Sequence, residues 1–393
     1  MHEIIKTIWY SRTPINLRKS INLTIDNKDI LGTLEKLNEN ENFNLSENIL
    51  SLRPIDIKYT TEEGYVGIDA TGLSKDFFTN IGDKMKNHMK LDEQYLIPNN
   101  EELNPVKWQL LGGLIARSIF SLNVSPKLNL SPVLCYFLLK GNYKIKVNDL
   151  LDTLLYFDID FLDNIRKVQK MTQNEYIEFL ELQGEENFIN KDKYIFNAIR
   201  SKYVNDATMN FMNGFLRIIK NFGEIYCMNI ISFCKIMAGD DKYKIKTGVS
   251  QSLYKSLHVE IEYTCPESSN KYFYIQKYKK ISDVILEVFI DVLEELNTKN
   301  LNKLKTFIKF WFGTDTIINF DAYHPILVLD KSFGTYNCFR SCTCFVILSV
   351  NQTDILKNIG NKQTLMEIFH QLIDASLTNQ SLMESVGMYM QTE

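Results

Sequence analysis

No run of about 18 or more apolar residues occurs anywhere in the 393-residue chain, so a membrane-spanning helix is not expected. A basic excess is also missing. The 44 Lys and Arg face 48 Asp and Glu for a formal charge of -4, with lysines interleaved among acids, which excludes a nucleic-acid footprint. The opening Met1-His2-Glu3-Ile4-Ile5-Lys6 has no signal-peptide apolar core, and no lipidation motif closes the other end. Phosphate-cradling glycine loops, paired catalytic carboxylates, His-x-x-x-His spacings, repeats and strong low-complexity tracts are absent too. The seven cysteines, Cys135, Cys227, Cys234, Cys265, Cys338, Cys342 and Cys344, are odd in number and scattered, which suits a reducing compartment without disulfides. The expectation is a soluble intracellular protein, cytoplasmic or nuclear, with neither membrane nor nucleic acid as partner.

What is present is ample apolar material, 45% of residues, enough for two domains or one large two-lobed one. Ile30, Leu31, Leu34 and Leu37 mark an amphipathic helix after the capping Asp29. Ile55 to Tyr59 alternates like a strand, and Ser74-Lys75-Asp76-Phe77-Phe78 opens another helix after a glycine-bearing turn. Trp108 to Leu122 reads as a buried helix whose Gly112-Gly113 lets a neighbour come close. Further helices are expected over Pro132 to Leu139 with a stop at Gly141, Val147 to Tyr156, Asn190 to Tyr203, Thr208 to Lys220 and Met228 to Met237 with a stop at Gly239. Thr264 to Lys271 has the polarity and turn residues of a connection, so a hinge is expected over 273–281. Beyond it, helices over Ser282 to Leu296, Leu301 to Trp311 and Thr364 to Asp374, with strand-like Ile326 to Leu329 and Phe345 to Leu348, describe a small α/β lobe.

The most pointed chemistry lies at Arg340-Ser341-Cys342-Thr343-Cys344-Phe345-Val346-Ile347-Leu348, where a Thr-Cys-Phe triplet runs into a β-branched segment. An isolated cysteine beside Phe and Val is ordinarily a small buried hydrophobe. Here the triplet resembles the catalytic-cysteine signature of HECT-type ubiquitin ligases, and four upstream blocks are similar to the same family in the same order. They are Glu62 to Phe78; Trp108 to Ile119 with Leu138-Leu139-Lys140-Gly141; Asn190-Lys191-Asp192-Lys193-Tyr194 with Phe211-Met212-Asn213-Gly214-Phe215; and Ile230 to Gly239. Taken singly each block is only a capped helix or a packing device. Their order over roughly residues 20 to 376 is what makes them a signature.

The resemblance implies an α+β, bilobal fold. After an extension over 1–20, a mostly helical N-lobe would span 21–272, followed by the hinge and a small α/β C-lobe over 282–393. It implies a ligase that takes ubiquitin from a ubiquitin-conjugating enzyme as a thioester on Cys344 and passes it to a lysine of a protein substrate, met directly or through an adaptor. That chemistry needs a thiolate, of which a free thiol of pKa about 8.5 supplies only a few per cent at neutral pH. Thr343 is expected to hydrogen-bond near the sulfur or thioester carbonyl, Phe345 to anchor the loop, and Cys342 to support it. No metal or organic cofactor is required. The conjugating enzyme is expected on apolar residues of the 221–258 segment, Ile225, Tyr226, Met228 and Met237.

The loop departs from the family twice: Cys342 stands where a histidine precedes the triplet, and Ser349-Val350-Asn351 replaces a Pro-x-Tyr. Thr71 stands for the first of a glycine pair, and the near-terminal aromatic has no clean counterpart, with Tyr389 and Met390 as candidates. These departures carry a second reading, an inactive HECT-like module that sequesters a conjugating enzyme or ubiquitin. Two further constellations use the same cysteine. Cys338, Cys342 and Cys344 with His324 would make a zinc set, though without the Cys-x2-Cys spacing of a knuckle. Cys344 with His324 or His370 would make a hydrolytic dyad, though without the papain-type surroundings.

Overall fold

The structure, a computed structural model, describes residues 21–26, 29–38, 55–60, 72–92, 94–101, 103–141, 145–155, 158–184, 188–219, 229–239, 242–246, 251–262, 271–331, 338–343 and 345–386. These residues form a mixed α+β protein in which helices dominate. Strand β1 (Ile21–Asp26) pairs in parallel with β2 (Ile55–Thr60) across helix α1 (Ile30–Asn38), and α2 (Gly72–Lys86) follows. A short antiparallel hairpin, β3 (Met89–Asp92) and β4 (Tyr95–Pro98), leads into the main helical array. That array comprises α3 (Pro105–Leu122), α4 (Pro132–Lys140), α5 (Val147–Leu154), α6 (Ile159–Lys170), α7 (Gln173–Leu182), α8 (Lys191–Tyr203), α9 (Asp206–Ile219) and α10 (Ile230–Ala238).

Local chemistry explains many of these boundaries. Asn104 and Ser131 cap α3 and α4 through their side chains, each with proline at the first helical position, where a missing N–H costs nothing. Thr172 and Glu175 satisfy each other's backbone N–H in a capping box at the start of α7. Gly141, at φ 62°, and Gly239, at φ 82°, take the left-handed conformations that stop α4 and α10. Helices α6 and α7, not expected from the sequence, divide their apolar residues: Leu162 and Ile165 of α6 join the first core, while Val168 packs with Tyr176 and Leu180 of α7 in a small satellite cluster. The larger first core runs from Ile21 to Met237.

A second core begins at Ile245 and ends at Ile373. It holds α11 (Leu253–Ser256), β5 (His258–Ile261), α12 (Lys271–Lys299), α13 (Leu301–Phe312), a 3-10 turn at Phe320–Ala322, β6 (Ile326–Asp330), β7 (Arg340–Cys342), β8 (Ile347–Asn351), α14 (Gln352–Lys357) and α15 (Lys362–Val386). Its sheet has the order β5-β6-β8-β7, with β5, β6 and β8 parallel and β7 antiparallel. The parallel pair β5 and β6 needs a crossover, and α12 and α13 supply it.

Two expectations are corrected here. The stretch 273–281, expected as a hinge, lies inside α12. Its Gln276, Lys277, Lys279 and Lys280 point to solvent, so a polar helix face reads in sequence like a linker. The boundary near 272 also moves. Ile245, Leu253, Leu257 and Ile261 belong to the second core, and β5 hydrogen-bonds along β6, so chain assigned to the first lobe completes the second sheet.

The two cores are joined by polar contacts. Residues 314–323 lie along 122–127, where the Ser125 N–H donates to the Thr316 carbonyl (2.8 Å), the Asn123 side chain to the Asn319 carbonyl (2.6 Å), and Lys127 pairs with Asp315 (2.9 Å). The Thr79 and Thr314 hydroxyls share a buried hydrogen bond of 2.9 Å. Among the described residues no helix is long and apolar enough to cross a membrane.

Candidate active site at the turn between Thr343 and Val346

β7 and β8 pair with Cys342 opposite Ile347, leaving four residues to reverse the chain. The Phe345 N–H donates to the Cys342 carbonyl at 3.2 Å, closing the turn. Cys344 itself lies outside the described residues, so the site is built from what surrounds it. On one side the Ser341 hydroxyl donates to the Trp311 carbonyl (3.1 Å). On the other, the carbonyl of Val346 accepts from the Trp311 indole N–H (3.0 Å) and from the Ile326 N–H (3.1 Å). Trp311 thus binds the chain before and after the cysteine, and it is fully buried in α13 among Phe289, Phe307 and Phe312.

Val346 has φ 54°, a left-handed conformation that a β-branched residue adopts only under constraint. Its side chain is buried and its carbonyl doubly bonded, which supplies that constraint. The consequence is visible one residue earlier. Phe345 is 68% exposed, so it is not the anchor that its sequence position suggested. Val346 and Trp311 anchor the turn instead, and Phe345 presents an aromatic ring to solvent beside the cysteine. Cys342 is half-buried on β7.

Among the described residues, the first core reaches the turn through a lysine side chain. Lys75, in the first turns of α2, donates from Nζ to the Phe312 carbonyl and the Thr343 carbonyl, each at 3.2 Å, and stands 4.7 Å from the Tyr323 ring centroid. Thr343 therefore meets this neighbour through its backbone oxygen. The sequence places Lys75 in the block Glu62 to Phe78 without indicating a role for it. A signal existed: it occupies the α2 face that also buries Ser74, Phe78 and Gly82, where a lysine is out of pattern.

Of the expected docking residues, Ile225, Tyr226 and Met228 lie outside the described residues, and Met237 is corrected. It is completely buried in the first core, and its carbonyl accepts the Leu128 N–H at 2.7 Å. Its spacing in a short amphipathic helix marks the inward face equally well as an interface. Large exposed apolar side chains concentrate elsewhere, at Leu155, Ile159, Ile177, Leu182 and Phe188, along α6, α7 and their flanks.

The histidines of the dyad reading are placed apart from each other in role. His370 on α15 faces Glu295 of α12 at 3.5 Å, and His324 is exposed at φ 45°. Among the described residues no group of three His, Cys, Asp or Glu could hold a metal ion. Compared with known families and curated proteins, the chain gives no match: no family model fits it and no curated protein matches it.

Proposed function

We propose that this chain is a two-lobed HECT-type ubiquitin ligase with Cys344 as its acceptor. In the first step the Cys344 thiolate attacks the thioester carbonyl joining ubiquitin to a conjugating enzyme. A new carbon–sulfur bond forms and the conjugating enzyme's thiolate leaves. In the second, a substrate lysine amine attacks the new thioester, the Cys344 thiolate departs, and the amine loses a proton to leave an isopeptide bond. Acyl transfer between sulfurs conserves the activated bond, so the residues around the cysteine need only position it and stabilise the thiolate.

The observation that carries this reading is the turn itself. A cysteine sits between a bonded Thr343 carbonyl and a Phe345 that is 68% exposed, on a hairpin tip whose flanks are fixed by a buried tryptophan. An exposed aromatic ring beside the nucleophile suits a macromolecular acyl donor, which must press a protein surface against the tip. The sequence-order signature supports the same class. For the conjugating enzyme, the exposed apolar side chains Leu155, Ile159, Ile177, Leu182 and Phe188 offer candidate docking positions, with Ile231 of α10 a further one in the expected segment.

Incubation with ubiquitin, its activating enzyme and a panel of conjugating enzymes, read on non-reducing gels, tests the reading. A reducible ubiquitin adduct is expected on the wild type and on Cys342→Ala, and none on Cys344→Ala. Binding of a conjugating enzyme with no adduct from any of the panel overturns the ligase in favour of the inactive, sequestering module.

A further inference from the structure

Lys75 is an unusual residue to find where it is. It is 3% exposed, in a helix whose neighbouring buried positions are Ser74, Phe77, Phe78 and Ile81. Withdrawing an ammonium from water is costly unless its donors are satisfied, and a fold needing only to fill this volume would be served better by methionine or leucine. The Lys75 donors are directed at two carbonyls. One ends α13, where unpaired carbonyls carry the negative end of the helix dipole. The other is the Thr343 oxygen, part of the same peptide unit as the Cys344 nitrogen. A positive charge is thereby held at the peptide that enters the reactive cysteine.

We infer that Lys75 is a positioning residue for Cys344, orienting the Thr343–Cys344 peptide and favouring the thiolate by its charge. The purpose of that thiolate rests on the ligase reading; the effect on the thiol does not. A cation near a cysteine stabilises its ionised form and lowers the pH at which it becomes nucleophilic. The other charged and titratable groups around the turn are engaged or peripheral. Asp76 of α2 faces Lys309 of α13 at 3.7 Å, and Asp315 pairs with Lys127. The Tyr323 hydroxyl donates to the Leu122 carbonyl at 2.5 Å, leaving its ring to the ammonium. His324 and Arg340 are exposed, and Cys342 is half-buried. Among the described residues, Lys75 brings its charge onto the turn itself through the Thr343 carbonyl.

The test is the pH dependence of iodoacetamide labelling at Cys344, read by peptide mass spectrometry on the full chain. Wild type, Lys75→Met and Lys75→Arg are compared, with Cys342 as internal reference and circular dichroism as the check of folding. The Cys344 midpoint is expected to rise by about one pH unit in Lys75→Met, to return most of the way in Lys75→Arg, and to leave Cys342 little changed. A folded Lys75→Met with an unshifted midpoint overturns the inference. Should Lys75→Met fail to fold, the wild type decides alone: a Cys344 midpoint at or above the ordinary thiol value of about 8.5 overturns it equally. Ubiquitin loading separates the two ideas. A shifted midpoint without loading sinks the ligase and keeps this role for Lys75, whereas loading with a midpoint indifferent to Lys75 does the reverse.

Discussion

Gly112 of α3 and Gly214 of α9 each occupy space against the other helix's backbone. A Cβ on Gly112 would stand 1.9 Å from the Phe211 carbonyl oxygen, and one on Gly214 would stand 1.8 Å from the Gln109 carbonyl oxygen. The contact is reciprocal and made of main chain, so no rotamer change can relieve it. It sets how closely α3 and α9 approach, and it joins two of the blocks that carry the family resemblance.

Gly112→Ala and Gly214→Ala should each cost about 3 kcal/mol or more, because the helices must separate to admit a methyl group. The double variant should cost less than the sum, since one separation serves both. Gly360→Ala, where nothing lies within 4 Å, is the control and should stay within about 0.5 kcal/mol of wild type. Urea denaturation measures all four. A Gly112→Ala protein as stable as the control would refute the packing argument.

At Val346 two effects oppose each other. Truncation removes a buried side chain, while glycine also relieves the left-handed backbone at φ 54°. In an ordinary strand glycine is worse than alanine by about 0.5–1 kcal/mol. Here Val346→Gly is expected to be at least as stable as Val346→Ala, and the usual order of the two melting temperatures would show that the strain is not felt.

The anchoring role expected of Phe345 should fall to Trp311 instead. Phe345→Ser, at an exposed ring, is expected to change stability by less than about 0.5 kcal/mol while weakening ubiquitin loading. Trp311→Phe removes the indole donor to the Val346 carbonyl and should cost about 1–3 kcal/mol. Chemical denaturation and single-turnover loading on both variants check the pair; a Phe345→Ser protein destabilised like a core variant would restore the anchor reading.

Asp158 caps α6 through the Phe161 N–H (3.1 Å) and takes bonds from Lys202 (2.6 Å) and the Tyr203 hydroxyl. Partial burial alone would raise its pKa, but these hydrogen bonds hold it below the ordinary aspartate value. Its stabilisation is therefore complete above the unfolded-state pKa of about 3.9 and is lost as pH falls through the lower folded value. Asp158→Ala should cost about 1–2 kcal/mol near neutral pH. The gap between the two proteins' urea midpoints should hold down to about pH 5 and narrow below about pH 4; a gap that widens in acid would reverse the assignment.

Local pattern was enough for a good deal of this protein. The helix start at Asn190 and the stops at Gly141 and Gly239 depend on side chains and backbone freedom within a few residues, so they are legible in a string of letters, whereas the Asn104 cap places the start of α3 three residues before the expected Trp108. The short apolar runs at 326–329 and 345–348 mark strands, the second found two residues later at 347–351, and the close approach at Gly112 needs only the absence of a side chain to be suspected. The remaining features depend on chain brought together from far apart. Lys75 reaches Thr343 across 268 positions, and no periodicity in α2 records that target. β5 joins a sheet whose next strand lies beyond two long helices, and polar faces on α12 imitate a linker. Met237 faces inward and Phe345 outward because neighbouring elements already fill or leave the space beside them. Hydrophobicity says that a side chain can be buried; packing of distant segments determines which of several equivalent candidates is.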